Sequence, residues 1–416
     1  MNPTDTTFKR EPVSIVMIGA GNRARKYLHY ISSTPDRVRL VGVVDSNPLR
    51  RRTFLSSYPG LTPESLYSSA EEFFARGRVA DAVIIATPDE CHYSQAMQAI
   101  RLGYHVLLEK PIAQTEEEAT AIAQAAREAG VTVNVCYVLH FHPYFRKLRE
   151  LAQSPALGRI VSVSHRSPVG VDRATHVYVR GGWGKKATSG PWFTSNCCHD
   201  IDFLIWLTGG RCKSVASHGS LGWFTAENAP TGSALRCIDC GVEAECPYSA
   251  VDLYRRRREW VKNFDIPGGM TLNDVISKEL AEGQYGRCVY HCDNDVVDRQ
   301  TVSIETETGV LIDISMDVFT NDPHRTTRIS MTNGEIVGDE RGITVSTFRP
   351  RSSRHIDFTH TISAPYHAGA DLDTVANFID VITGTEDQSA TDIDSALYSQ
   401  HLCDAIEAAR IKTVQG

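Results

Sequence analysis

Residues 13–24, VSIVMIGAGNRA, are the feature that most constrains the fold of this chain. A short apolar run leads directly into G-x-G-x-x-A, which predicts a buried strand, a tight turn and a helix. Gly19 would permit the turn, Gly21 would let the backbone approach a pyrophosphate, and Ala24 would let the helix pack closely on the strand. Asn22 lies within the same motif. Glycine-rich turns also occur in ordinary loops, so the interpretation depends on the context of the motif.

That context is a second apolar run, RVRLVGVVD, which ends at Asp45. In a dinucleotide-binding unit, an acidic residue roughly 20 positions after the turn accepts hydrogen bonds from the adenosine ribose. An acid at this position disfavours a 2′-phosphate, so we expect NAD as the cofactor rather than NADP. Arg50 and Arg51 follow closely and keep NADP open as an alternative.

Two different textures divide the chain. Up to about residue 136, strand-like runs at 14–18, 40–44, 82–86, 105–108 and 131–135 alternate with helical segments at 26–32, 90–102 and 115–129. This alternation predicts an α/β domain with a parallel sheet over residues 1–136. Residues 137–416 contain runs that alternate apolar and polar side chains, a turn signal at Asn333-Gly334, and closing helices at 371–381 and 393–411. They predict an α+β domain with an antiparallel sheet.

Composition excludes several classes of protein. The chain has 416 residues, of which 42% are hydrophobic and 22% charged, and its formal charge is -7. This charge, without long basic runs, argues against a dedicated nucleic-acid binder. We expect no membrane span, because an uninterrupted apolar stretch of about 18 residues is missing. The first residues, MNPTDTTFKREP, lack the apolar core of a secretory signal, so we expect a cytoplasmic protein.

A segment at about 221–292 fits neither texture and is interpreted as an insertion. It is rich in cysteine, arginine and turn residues, and it includes Cys237, Cys240 and Cys246 in RCIDCGVEAEC. The chain has 11 cysteines, an odd number, which makes a disulfide framework a poor explanation in an intracellular protein. A closed zinc site that fixes the insertion, packed reduced thiols and redox chemistry all remain open.

Further motifs carry a resemblance to a known family. ATPDECH precedes a strand that ends in Glu109-Lys110-Pro111, and FHPYFRKLREL, LGRIVSV and HDIDFLIWLTG follow in that order. In this arrangement the chain resembles the Gfo/Idh/MocA family of glucose-fructose oxidoreductases, inositol dehydrogenases and relatives. The resemblance implies a Rossmann domain joined to a domain with an open, mostly antiparallel sheet. It also implies a sugar or cyclitol substrate beside the nicotinamide, and a homo-oligomer, dimer or tetramer, that pairs through the outer face of this sheet.

The resemblance assigns roles to two residues. Lys110 would bond the reacting oxygen, and a neighbouring positive nicotinamide would lower its pKa. His199 would accept or relay the proton. An exposed surface lysine and a buried structural histidine are the alternatives. The cofactor loops implied by the resemblance also include Thr87, Pro88, His92 and Glu109.

The chain also departs from the commoner family pattern. Many relatives have an aspartate four residues before the histidine, where this chain has Ser195, and an arginine where it has His140. Asp200 and Asp202 lie near, but only one of them is expected to face the pocket. These departures leave the identity of the general base open, and a core histidine is an alternative for His140.

The other candidate substrate residues come from three segments. The string HVYVRGGWGKK resembles a substrate loop, because a branch of the family has the pattern HxYVRGxW here. Its basic groups would bind an anionic substrate or would lie in a solvated loop. The loop PYHAGAD resembles a late loop of the family that returns towards the sheet. The candidates in these segments, together with one tyrosine that follows the last strand of the first domain, are Tyr137, His176, Arg180, Lys185, Lys186, His367 and Asp371.

Three functions follow from the resemblance. The first is an NAD-dependent dehydrogenase that acts on a secondary alcohol of a sugar, sugar acid or cyclitol. The second is an NAD-dependent glycoside hydrolase, which oxidises C3 transiently, eliminates the aglycone, adds water and is re-reduced. Its substrate would be a sulfonated or carboxylated glycoside. The third is a non-catalytic NAD-binding sensor, against which the pair of Lys110 and His199 argues.

Overall fold

The computed structural model describes residues 11–362 and 364–415. Its first sheet comprises β1 (Val13–Ile18), β2 (Val38–Val44), β3 (Leu66–Tyr67), β4 (Ala82–Ile85), β5 (His105–Leu108) and β6 (Val133–Val135). These six strands are parallel, in the order β3-β2-β1-β4-β5-β6. This is the order of a doubly wound dinucleotide-binding sheet, so the predicted Rossmann architecture is confirmed.

Helices cover both faces of this sheet, which explains why all six residues of β1 are buried. They are α1 (Asn22–Ser33), α2 (Pro48–Ser57), α3 (Ala70–Phe74), α4 (His92–Arg101) and α5 (Glu116–Ala129). Helix α5 begins after Thr115, whose side chain accepts the Glu118 N–H, and ends at Gly130 with φ of 64°. The sequence carried no comparable periodic signal for α2, of which only Phe54 is buried.

The second sheet has eight strands. They are β7 (Ile160–Arg166), β8 (Cys212–Ser220), β9 (Arg299–Thr306), β10 (Leu311–Asp317), β11 (Thr326–Met331), β12 (Gly334–Gly338), β13 (Gly342–Thr347) and β14 (Ser352–Asp357). Their order is β14-β13-β12-β11-β7-β10-β9-β8, and only the β7–β10 pair is parallel. Buried and exposed residues alternate along β9 and β10, because one face packs on helices and the other is open.

The predicted turn at Asn333-Gly334 differs in detail. The loop between β11 and β12 consists of Thr332 and Asn333, and Gly334 already pairs with Met331. Glycine is needed at 334 for close packing rather than for the turn, because a Cβ there would lie 2.2 Å from the Ser346 carbonyl oxygen.

The helices of the second part, among the residues that the structure describes, are α6 (Pro143–Ala152), α7 (Val171–Ala174), α8 (Lys186–Ser189), α9 (Trp192–Thr208), α10 (Leu272–Ala281), α11 (Thr359–Ile362), α12 (Pro365–Ala368), α13 (Ala370–Ile382) and α14 (Ile393–Gln415). Helix α13 packs on the first sheet's layer, where Val375, Phe378 and Ile379 join the apolar cluster of α1. The first structural unit thus includes a helix from the end of the chain as well as residues before 136. Within the described residues, none of the helices has the length and apolarity needed to span a bilayer.

The cysteine-rich segment 221–292 lies between the adjacent strands β8 and β9, as expected of an insertion. It has an apolar cluster of its own, which includes Leu253, Tyr254, Ile276 and Leu280. Because these side chains are buried among themselves, the insertion is a packed unit on the second domain.

Candidate active site

The turn between β1 and α1 has the geometry of a phosphate-binding loop. Gly19 has φ of +92°, and a Cβ on it would lie 2.5 Å from the Ala86 carbonyl oxygen. A Cβ on Gly21, in contrast, would meet no protein atom within 4 Å. Gly21 caps α1 without a side-chain hydrogen bond, which leaves the first N–H groups of the helix open to an anion. The turn therefore fits the pyrophosphate of a dinucleotide. Ala24 is fully buried against the strand, and Asn22 is exposed in the first turn of the helix.

Asp45 lies directly after β2, at the carboxyl edge of the first sheet. Its two carboxylate oxygens accept the backbone N–H groups of Ala20 and Asn47, both at 2.8 Å. These bonds hold the carboxylate beside the phosphate-binding turn, where an adenosine ribose would lie.

The next strand end carries Thr87, Pro88 and His92. The ring of His92 is buried, with Nδ1 2.8 Å from the Pro111 carbonyl oxygen and Nε2 3.2 Å from that of Thr87. The histidine thus links the loops after β4 and β5. The Thr87 hydroxyl donates to Gln95, and Pro88 is exposed at the tip of its loop.

Glu109, the first residue of the EKP motif, contacts the protein. Its carboxylate accepts hydrogen bonds from Arg23 Nε and the Tyr27 hydroxyl, each at 2.5 Å. Burial raises the pKa of Glu109, but Arg23 and Lys110 lower it by more, so its net shift is downward and the group stays charged. The structure gives Glu109 the role of fixing α1 against β5 rather than of a free cofactor ligand.

Lys110 lies next to Glu109 and reaches α9. Its ammonium donates a hydrogen bond of 2.9 Å to the Ser195 carbonyl oxygen. Burial lowers the pKa of Lys110, but Cys198 and Asp89 raise it by more, so that the net pKa lies above the ordinary 10.5. The expectation of a lowered pKa therefore does not hold for the protein alone, in which Lys110 is a charged hydrogen-bond donor.

His199 lies one turn after Ser195 on α9, and its pKa is shifted in the opposite direction from that of Lys110. Burial, and then the positive charges of Lys110 and Arg325, lower its pKa well below 6.5. Its Nδ1 is buried and has no hydrogen-bond partner among the described residues. The ring of Tyr137 stands edge-on to His199 at 5.8 Å, and within the same described residues its hydroxyl is also without a partner. His199 is thus a neutral imidazole beside a charged lysine.

Asp200 follows His199 on the helix and is completely buried. Its carboxylate accepts hydrogen bonds from His165, Ser167 and Arg325. The structure therefore places this carboxylate in an ion pair beneath the site, and not free towards a substrate. Sequence reasoning missed Arg325, because no local motif marks a partner 125 residues away.

His140 also lies in the core. Its Nε2 donates to Asp202 at 2.6 Å, and its ring packs on Trp206 at 4.2 Å. The core alternative describes His140 better than a pocket role.

Ser195, which replaces the family's aspartate, donates its hydroxyl to the Trp192 carbonyl and offers only its own carbonyl to Lys110.

His176 and Arg180 hold the insertion rather than line the space around Lys110. His176 stacks on Tyr285 at 4.5 Å, and burial lowers its pKa to about 4. Arg180 is fully buried and donates to the carbonyls of Arg287 and Tyr248, at 2.7 and 2.6 Å. Both predicted substrate residues therefore serve the packing of the insertion.

Both lysines of the basic loop are ion-paired, Lys185 with Asp293 and Lys186 with Glu407.

His367 donates to Asp371 at 2.9 Å, and this carboxylate also pairs with Arg23. These contacts tie the loop PYHAGAD to the phosphate-binding helix α1.

A zinc site, one of the three alternatives left open for the cysteines, is not supported. In the part of the chain that the structure describes, no group of three or more histidine, cysteine or acidic side chains is arranged to hold a metal ion. Cys237 is buried in the apolar cluster of the insertion, and Cys240 and Cys246 are half-buried free thiols. Packed thiols are the alternative that the structure favours.

Asp89, in the ATPDECH motif, is a further member of the site. Its carboxylate is buried and accepts the Trp183 indole N–H at 3.2 Å. Burial raises the pKa of Asp89, and nearby Lys110 opposes the shift. The sequence signal was an acid in the loop after a strand, beside Thr87 and Pro88, which were already assigned to the cofactor loop.

Comparison with known proteins supports this geometry. Residues 13–137 match the oxidoreductase family with an NAD-binding Rossmann fold, and residues 145–337 match the GFO/IDH/MocA C-terminal domain. The chain is 22% identical over 340 residues to YteT of Bacillus subtilis (strain 168), and the aligned region covers 79% of this chain and 77% of that protein. It is 28% identical over 212 residues to the myo-inositol dehydrogenase Hyg17 of Streptomyces leeuwenhoekii, with coverage of 50% and 59%.

A solved structure shares the fold over nearly the whole length. It is an oxidoreductase from Agrobacterium radiobacter in complex with NAD+, L-tartaric acid and magnesium, with a TM-score of 0.69 and 14% identity, and 97% of each chain is covered. Both parts of the chain are thus matched by models of one family. The chain belongs to the GFO/IDH/MocA family of NAD-dependent oxidoreductases.

Proposed function

We propose that the protein oxidises a secondary alcohol of a sugar, sugar acid or cyclitol, with NAD as the acceptor. The observation that carries this proposal is the pairing of Lys110 and His199 at one site, one charged and the other neutral. Alcohol oxidation needs a donor for the reacting oxygen and an acceptor for its proton. A sensor would need neither.

The two residues divide the work. When bound, the nicotinamide supplies the acceptor for the hydride. His199 takes the hydroxyl proton, because its lowered pKa leaves the imidazole free at neutral pH. The Lys110 ammonium gives one hydrogen bond to Ser195 and keeps two further N–H donors for the reacting oxygen. Asp200, which is paired with Arg325, lies next to His199 in the middle of α9 and fixes this part of the helix.

The substrate side of the site is proposed to bind hydroxyl groups. Tyr137 contributes a hydroxyl without a partner among the described residues, and Tyr178 donates to Asn196 at 2.8 Å near Lys110. Because Lys185 and Lys186 are already ion-paired, a neutral polyol is favoured over an anionic substrate.

Turnover tests the proposal directly. Purified enzyme with NAD and a panel of sugars, sugar acids and cyclitols should form NADH in proportion to product. Lys110→Ala should lower kcat by about 10³-fold, in the range of an electrostatic donor, with the Kd for NAD nearly unchanged. Lys147→Ala, at an exposed lysine paired with Glu150, is the matched control.

Two results would contradict the dehydrogenase proposal. Full turnover by the Lys110→Ala variant would remove Lys110 from the reaction. Release of an aglycone from a glycoside without accumulation of NADH would assign the protein to the glycoside hydrolases that recycle their cofactor. Such an outcome would fit the absence of a carboxylate at Ser195.

We further propose a homo-oligomer that forms through the open face of the second sheet. Helices leave this face uncovered, and a cavity with a volume of about 470 Å³ lies on it. Leu311 and Val337 expose apolar side chains there, with 53% and 40% of their surface accessible. Neither Lys110 nor His199 lines this concavity, so association leaves the site open.

A further inference from the structure

The insertion contacts the first domain at the adenosine end of the cofactor site. Asp265 lies in the insertion, in the loop that precedes α10. Its carboxylate accepts hydrogen bonds from Asn47 Nδ2 and Arg50 Nε, both at 3.0 Å, and lies 2.8 Å from Arg50 Nη2. Asn47 caps α2 and follows Asp45 by two residues. A residue of the second domain thus reaches the loop that would bind the ribose.

This contact engages one of the two arginines that could bind a 2′-phosphate. Arg50 is held by Asp265, and Arg51 donates to the backbone carbonyl of Asp45. At this end of the site, two carboxylates face two guanidinium groups. A 2′-phosphate brings close to two negative charges and needs an arginine with free donors.

The ion pair itself contributes little to stability. The side chains of Arg50 and Asp265 are 36% and 27% exposed, so solvent screens their attraction. The insertion is instead held by buried contacts, such as the bonds from Arg180 to Arg287 and Tyr248. The contribution of the ion pair between Asp265 and Arg50 to the stability of the fold therefore does not explain why the pair lies at this position.

We propose that Asp265 determines cofactor choice: by holding Arg50 from the second domain, it makes the site select NAD over NADP. This inference rests on the proposed function, in which the dinucleotide binds along α1 and Asp45. Asp265 acts through Arg50 and Asn47, and so it is a positioning residue. Through this contact the insertion becomes part of the cofactor site.

Binding measurements without substrate test the proposal. Asp265→Asn keeps the size of the side chain and removes its charge. By isothermal titration calorimetry, this variant should bind NADP about tenfold more tightly than the wild type, which is the gain of one charge-assisted contact. Its Kd for NAD should stay within about threefold. Asp252→Asn is the matched control, because Asp252 pairs with Arg256 and Arg257 on the same insertion.

A double variant identifies the arginine. Arg50→Ala in the Asp265→Asn background should abolish the gain in NADP affinity, whereas Arg50→Ala alone should change neither affinity by more than about threefold. The gain should also shrink at high salt, because the contact is partly exposed.

Several outcomes would overturn the proposal. If Asp265→Asn changed the Kd values for NAD and NADP equally, Asp265 would only anchor the loop and would not select the cofactor. A gain that survives Arg50→Ala would exclude Arg50 as the recipient, and a wild type that prefers NADP would reverse the selectivity. Failure of the wild type to bind either dinucleotide would instead refute the proposed function itself, which separates the two failures.

Discussion

At the scale of single residues, the charges of Lys110 and His199 predict the pH dependence of oxidation. His199 accepts a proton only when neutral, so activity is lost as the pH falls through its lowered pKa, below 6.5. Lys110 donates only when protonated, so activity is lost as the pH rises through its raised pKa, above 10.5. We expect kcat/KM to be constant between these limits when measured against pH. A basic limb near neutral pH would contradict a charged Lys110.

Asp89 gives this prediction a second readout. Asp89→Asn preserves an acceptor for the Trp183 indole and removes one of the charges that raise the pKa of Lys110. The basic limb of the profile should therefore move to lower pH. Glu90→Gln, on the exposed neighbouring position, should leave the profile unchanged. An unaltered limb in Asp89→Asn would limit Asp89 to a structural contact.

At the scale of elements, Arg180 ties the insertion to the second domain. Arg180→Ala would leave two partly buried carbonyls, those of Arg287 and Tyr248, without this donor. We expect a loss of about 2–6 kcal/mol in the free energy of unfolding by urea, since each of the two unsatisfied groups costs about 1–3 kcal/mol. Proteolysis within 221–292 should become faster. Arg256→Ala, at an exposed arginine, should change neither the stability nor the rate of proteolysis. If Arg180→Ala were as stable as the wild type and only its KM were raised, the result would support the substrate role that the sequence predicted for Arg180.

At the scale of the whole molecule, the open sheet face predicts association. The wild type should be a dimer or tetramer by light scattering after size exclusion, and Leu311→Arg or Val337→Arg should shift it towards monomer. A buried arginine without a partner opposes association. Val79→Arg, at a residue of the first domain that is 48% exposed, should leave the mass unchanged. A monomeric wild type, or oligomers that tolerate both substitutions, would refute this interface.

The sequence alone determined the features that depend on local chemistry. The turn at Gly19 and Gly21 and the strands β1, β2, β4, β5 and β6 could be predicted, because positive φ and apolar runs are properties of neighbouring residues, whereas the two-residue strand β3 was not predicted. The motifs also pointed to Lys110 and His199, which the structure brings to one site.

Only the tertiary structure decided the partners. Asp200 was expected at a substrate and lies in an ion pair with Arg325, and Arg180 was expected at a substrate and binds Arg287. These partners are 125 and 107 residues apart. No local pattern encodes such contacts, since they arise when the sheets pack and each buried charge must find an acceptor or a counter-charge. The same packing placed the insertion's Asp265 on Arg50, 215 residues away.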